Sequence, residues 1–130
     1  ILKLSKFLIK KYKISSQRIL GHSDISPDRK KDPGEKFPWQ FLSKRNIGQW
    51  HNLDKKKIFK NRNCKIYKFD KNIFLENLYK IGYYKKLNKK NTKYSKMLTS
   101  AFQRRFRPEL INGIIDKECL IISKNLIKKF

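Results

Sequence analysis

The stretch Gly21-His22-Ser23-Asp24-Ile25-Ser26-Pro27-Asp28-Arg29-Lys30-Lys31-Asp32-Pro33-Gly34 reads as an irregular loop that any fold of this chain must accommodate. Pro27 and the Pro33-Gly34 pair set turns within it. Upstream lies a short apolar run, Ile19-Leu20, read as the end of a strand spanning Arg18 to Leu20. Downstream, Pro38 suits the first position of a short helix to about Lys44, where its missing N–H would be unpaired in any case. A loop carried between rigid elements is where reactive groups tend to sit.

The loop's side chains have a definite chemistry. His22 offers an imidazole, a favoured zinc ligand, and Asp32 offers a hard carboxylate oxygen. Lys30, two residues before Asp32, would place an ammonium beside any ion those two hold. The residue types alone leave a metal site and a surface or capping role both open.

Order and spacing add to this. The string His22-Ser23-Asp24-Ile25-Ser26-Pro27, then Arg29-Lys30, then Asp32-Pro33-Gly34, then Phe37-Pro38-Trp39 closely resembles the late metal-binding loop of the AmpD-like N-acetylmuramoyl-L-alanine amidases. It is most similar to the larger, envelope-located members that carry an extra C-terminal domain. The resemblance implies that His22 and Asp32 are zinc ligands and that Lys30 is a catalytic residue beside the carbonyl under attack. It also implies a further histidine ligand and a glutamate acting on the water, both upstream of Ile1 and outside this sequence. His51, the only other histidine, does not match the missing ligand. The implied reaction is zinc-assisted hydrolysis of the amide between N-acetylmuramoyl residues and L-alanine in peptidoglycan or muropeptides. Zinc would acidify water and polarise the carbonyl, and Lys30 would stabilise the developing oxyanion. With two ligands and no general base, the chain alone is expected to be inactive.

The rest of the chain is placed around that loop. Ile1, Leu4, Leu8 and Tyr12 fall on one face of a helix over residues 1–12, expected to pack on a sheet; a basic membrane-surface helix is the alternative. Helix, strand and loop together imply the tail of an α/β amidase domain over residues 1–50, with Gly48 a turn near its end. Residues 51–65, with Lys55-Lys56-Lys57 at their centre, read as a solvated basic linker.

Residues 66–130 form a second, all-α unit with three helical patterns. Phe74, Leu75, Leu78 and Ile81 make one stripe, stopped by Gly82. Tyr94, Leu98, Ala101, Phe102 and Phe106 make the next, capped near Thr92 and ended by Pro108. After the turn signal Asn112-Gly113, Asp116 is an N-cap, with Ile115 and Leu120 spaced as a hydrophobic staple. Leu120, Ile121 and Ile127 are expected to complete the core. The pieces Leu78-x-x-x-Gly82-Tyr83, Ala101-Phe102-Gln103 and Asn112-Gly113-x-x-Asp116 resemble a peptidoglycan-binding-like domain. The segment Tyr84–Lys90 departs from that pattern by lacking its usual Gly and Asp. Tyr83, Tyr84 and Arg107, read as exposed, could contact sugar and acidic peptide groups, but packing and solvation explain them as well, and no binding residues are assigned there.

Charge needs separate treatment. The chain has 34 Lys and Arg against 10 Asp and Glu, for a net charge of +24, which suggests polyanionic partners. The simpler source is codon usage: Val is absent and Ala nearly so, while residues with A- and T-rich codons abound. Lys also far outnumbers Arg, the residue suited to base readout and bidentate phosphate contact, so no nucleic-acid partner is expected. Cys64 and Cys119 lack metal or redox spacing and are expected as free thiols. No apolar run is long enough to span a bilayer, and because the sequence starts at Ile1, an N-terminal portion is expected to be missing, and any leader or anchor would lie in it. Family resemblance puts the protein in the cell envelope. The competing readings are a non-catalytic wall-binding remnant of such an amidase and, further off, a basic nucleic-acid-binding module.

Overall fold

The computed structural model describes residues 1–86 and 92–128. Among these residues it contains seven α-helices: α1 (Leu2–Tyr12), α2 (His22–Ile25), α3 (Trp39–Ser43), α4 (Lys55–Phe59), α5 (Lys68–Ile81), α6 (Thr92–Phe106) and α7 (Lys117–Ile127). One 3-10 turn, Ser16–Arg18, lies between α1 and α2.

The expected α/β architecture is overturned: among the described residues no strand is present and every regular element is a helix. A strand needs a neighbouring strand to bond its backbone, and Arg18 to Leu20 has none. Arg18 instead closes the 3-10 turn, with Ile19 N donating to Ser16 O at 3.3 Å. Ile19 is extended, at φ −93 and ψ 107, but its carbonyl accepts from the side chain of Arg105. With no sheet beneath it, α1 buries none of its residues, and Leu4, Phe7 and Tyr12 are exposed. The helix forms as its periodicity predicts; the packing predicted for it is not made.

The core lies between α5, α6 and α7. Phe74, Leu78 and Ile81 of α5 meet Leu98, Ala101, Phe102 and Phe106 of α6 and Cys119, Leu120, Ile122 and Leu126 of α7. Spacings of three and four place each set on one helical face. On α7 the buried stripe runs through Cys119, Ile122 and Leu126, leaving the predicted Ile121 and Ile127 half-buried at its edge. Phe74 meets Phe102 edge-on at 5.0 Å between ring centroids, a favoured aromatic geometry. Between α5 and α7, buried Asn77 Nδ2 donates to Ser123 Oγ at 3.1 Å. Asp116 caps α7 as predicted, its Oδ1 accepting from Cys119 N at 2.9 Å. α6 begins at Thr92, so any cap before it falls outside the described residues, as does Tyr84–Lys90 from residue 87 onward.

Residues 51–65 are not a solvated tether. Asp54 accepts from Lys56 N and Lys57 N and so starts α4, which carries Ile58 into the core. Arg62 then forks onto Glu118, at 2.7 and 3.0 Å. The lysine run misleads because its three charges lie on the exposed side of a single helical turn, while the apolar residue next to it points inward. Arg107, read above as exposed, is buried, with Nη1 donating to Asp116 and Glu118. Tyr83 is buried as well; of the three, only Tyr84 is exposed.

Candidate metal site

The loop is pinned at both ends by its own backbone. Ser23 N donates to Asp32 O at 2.8 Å, tying its start to its finish, and Lys30 N donates to Ser26 O at 2.8 Å across the Pro27 turn. Gly21 is needed where it sits, because a Cβ there would lie 2.7 Å from Pro33 Cδ. Asp24 Oδ2 accepts from Gly21 N at 2.8 Å, holding the start of α2 beside His22.

This closure brings two of the sequence-predicted residues together. His22 Nδ1 and Asp32 Oδ2 are 3.1 Å apart, and both side chains are more than half exposed. The hydrogen bond from His22 is the main influence holding the Asp32 carboxyl below its ordinary value, with the charge of Lys30 acting in the same direction. The Lys30 side chain itself is exposed, and among the described residues it makes neither a hydrogen bond nor an ion pair with His22 or Asp32. An imidazole nitrogen and a carboxylate oxygen at this separation suit zinc as two of its ligands. No third His, Cys, Asp or Glu joins them among the described residues, so the other ligands of a four-coordinate ion would come from elsewhere.

Beneath the exposed pair is a buried polar layer that sequence reasoning missed. Asp24 is buried and accepts from Arg105 Nη1 at 2.7 Å. Arg105 Nη2 reaches the carbonyls of Ile19 and Gln49, at 3.3 and 3.4 Å. Its guanidinium lies over Trp39, 3.9 Å from the ring centroid. Tyr83 is packed beside this pair, and burial and the negative Asp24 hold its phenol well above its ordinary value. Tyr84 N donates to Asp24 O at 3.4 Å, and Lys86 pairs with Asp28 at 3.0 Å. The only local sign of Asp24's role was its place three residues after Gly21, a spacing that suits a helix start. Nothing local marked Arg105, which lies 81 residues from its partner.

Along its whole length the chain is 33% identical to N-acetylmuramoyl-L-alanine amidase AmiD of Escherichia coli (strain K12), covering 47% of that protein. The chain is a homologue of the N-acetylmuramoyl-L-alanine amidases. A second relative, 1,6-anhydro-N-acetylmuramyl-L-alanine amidase AmpD of Haemophilus influenzae, is 53% identical over 38 residues, or 28% of this chain and 21% of that one. The solved structure of AmiD in complex with the substrate anhydro-N-acetylmuramic acid-L-Ala-D-gamma-Glu-L-Lys superposes with a TM-score of 0.80 at 34% identity, covering 99% of this chain and 50% of that one. AmpDh3 of Pseudomonas aeruginosa superposes with a TM-score of 0.79 at 31% identity, covering 99% and 51%. AmpDh3 has also been solved with anhydromuramic pentapeptide. No family model matches the chain. This amidase homologue thus spans about half the length of the relatives it matches.

Proposed function

We propose that this amidase homologue supplies part of the active centre of a zinc-dependent N-acetylmuramoyl-L-alanine amidase acting on muropeptides during peptidoglycan turnover in the cell envelope. The observation that carries the reading is the convergence of His22 Nδ1 and Asp32 Oδ2 to 3.1 Å in a chain homologous along its length to such an amidase. The proposed substrate class is supported by the relatives solved with anhydromuramyl peptides.

In this reading His22 and Asp32 hold the ion through one nitrogen and one oxygen. Bound zinc supplies Lewis-acid activation of water and of the scissile carbonyl. Lys30 directs its ammonium at the carbonyl oxygen, where charge builds in the transition state; a donor so placed is worth about 3 to 4 kcal/mol of barrier. The buried layer under the loop keeps these groups from drifting, and small misplacements are costly in such sites. The 130 residues alone lack a full ligand set and a general base among those described, so they are expected to show no turnover by themselves.

The test uses the intact protein with anhydromuramyl tripeptide as substrate. His22→Ala and Asp32→Ala should lose bound zinc, measured by elemental analysis, whereas Lys30→Ala should keep zinc and lose turnover. Full zinc retention in His22→Ala would remove the ligand assignment. Retention of wild-type protein on purified peptidoglycan, with no hydrolysis of any muropeptide, would favour the wall-binding remnant instead.

A further inference from the structure

A single side chain from α6 holds three separate segments of the N-terminal half. Arg105 donates to the Asp24 carboxylate, to Ile19 O and to Gln49 O, and stacks between Trp39 and Phe106, at 3.9 and 4.9 Å from their ring centroids. Only 3% of its side chain is exposed. The consequences reach the candidate ligands in short steps. The same Asp24 oxygen that binds Arg105 also accepts from Gly21 N, and Gly21 is joined directly to His22. Ser23, next in the chain, donates its N–H to Asp32 O. Holding Asp24 therefore fixes the backbone on both sides of His22 and, through Ser23, the backbone of Asp32.

We propose that Arg105 is a positioning residue for the His22–Asp32 pair, and that the α5–α7 unit is thereby part of the frame of the loop rather than a detachable appendage. The proposal rests on reading that pair as metal ligands. The guanidinium suits the task because its planar fork serves one carboxylate and two carbonyls at once while its face stacks on Trp39. A lysine could keep the charge beside Asp24 but could not span all three acceptors.

The experiment compares the 130-residue chain with its Arg105→Lys, Arg105→Met and Arg105→Met/Asp24→Asn variants. The double variant removes the buried carboxylate that Arg105→Met alone would strand, so it is the one kept if the single variant fails to fold. Two signals are followed by NMR: amide hydrogen exchange at Gly21 and Ser23 against Leu78 and Ile122 in the core, and the shift of the His22 ring on adding zinc ions. In Arg105→Met and the double variant, exchange at Gly21 and Ser23 should accelerate by about 100-fold more than exchange at Leu78 and Ile122, as expected for a local opening added to any global loss of stability. Arg105→Lys should fall between these and wild type, and the His22 response to zinc should weaken in the same order. Wild-type exchange at Ser23 in the double variant would overturn the proposal, as would acceleration spread evenly over core and loop. If His22 of the wild-type chain ignores zinc, the ligand reading falls, and Ser23 exchange still decides whether Arg105 positions the loop.

Discussion

Asp24 and Arg105 are 81 residues apart in the chain and 2.7 Å apart in space, with 1% and 3% of their side chains exposed. A sealed pair of this kind adds little net stability over an apolar substitute, but losing one partner strands the other charge out of water. Arg105→Met is therefore expected to lower stability by about 3 to 5 kcal/mol. Adding Asp24→Asn should recover part of that loss, because the stranded charge is gone. Urea midpoints of the two variants check this, and equal losses would show that the guanidinium's contacts with Ile19, Gln49 and Trp39 dominate instead.

The start of α7 should be sensitive to acid. Burial pushes the Asp116 carboxyl up, but N–H donors from Cys119 and Asn63 and the Arg107 guanidinium together hold it below its ordinary value of 3.8. A depressed carboxyl adds stability that is present above its unfolded pKa and is lost as pH falls through the folded one. Unfolding followed by circular dichroism should thus show wild type losing stability between roughly pH 5 and pH 2, with a shallower loss in Asp116→Asn. At neutral pH the same variant should be less stable than wild type, because Arg107 loses a charged partner.

The two cysteines should differ sharply in reactivity. Cys64 is exposed and Cys119 is buried, and both are free. Burial pushes the Cys119 thiol up to about 12, and only the thiolate is the nucleophile. Iodoacetamide at pH 8 should label Cys64 alone in the folded chain, read by mass spectrometry, and both residues in urea. Rapid native labelling of Cys119 would mean that α7 opens far more readily than its packing implies.

Gly48 should not tolerate a side chain. Its φ of +72 belongs to the left-handed region, and a Cβ there would sit 3.0 Å from the Trp39 ring and 3.2 Å from Arg105 Nη2. Gly48→Ala should cost about 1 to 3 kcal/mol in thermal unfolding, from backbone strain and from prising the stacked guanidinium off the ring.

Phe102 should be among the costliest core positions. It is fully buried and touches Phe74, Tyr83 and Phe106. Phe102→Ala should lower stability by about 3 to 5 kcal/mol, through lost burial and the cavity left behind. A urea titration suffices to test it.

Local sequence determined a good deal of this protein. Spacing of three and four along Phe74, Leu78 and Ile81, and again along Leu98, Phe102 and Phe106, placed the faces of α5 and α6, because helical periodicity is a property of the chain within a few residues. Asp116 announced the start of α7 by its own capping chemistry. The order of His22, Lys30 and Asp32 among fixed prolines and glycines pointed to the loop before any coordinates did. Tertiary structure decided what depends on partners distant in the chain. Arg18 to Leu20 is no strand, since pairing requires a neighbour that these residues do not have. Ile58 leaves the lysine-rich stretch for the core because α4 turns one face inward. Arg105, one of many basic residues by sequence, anchors the loop because folding carries Asp24, Ile19 and Gln49 within reach of its guanidinium and shuts water out. Periodicity and caps are short-range and can be read along the chain, whereas a buried charge acquires its role only when distant segments close around it.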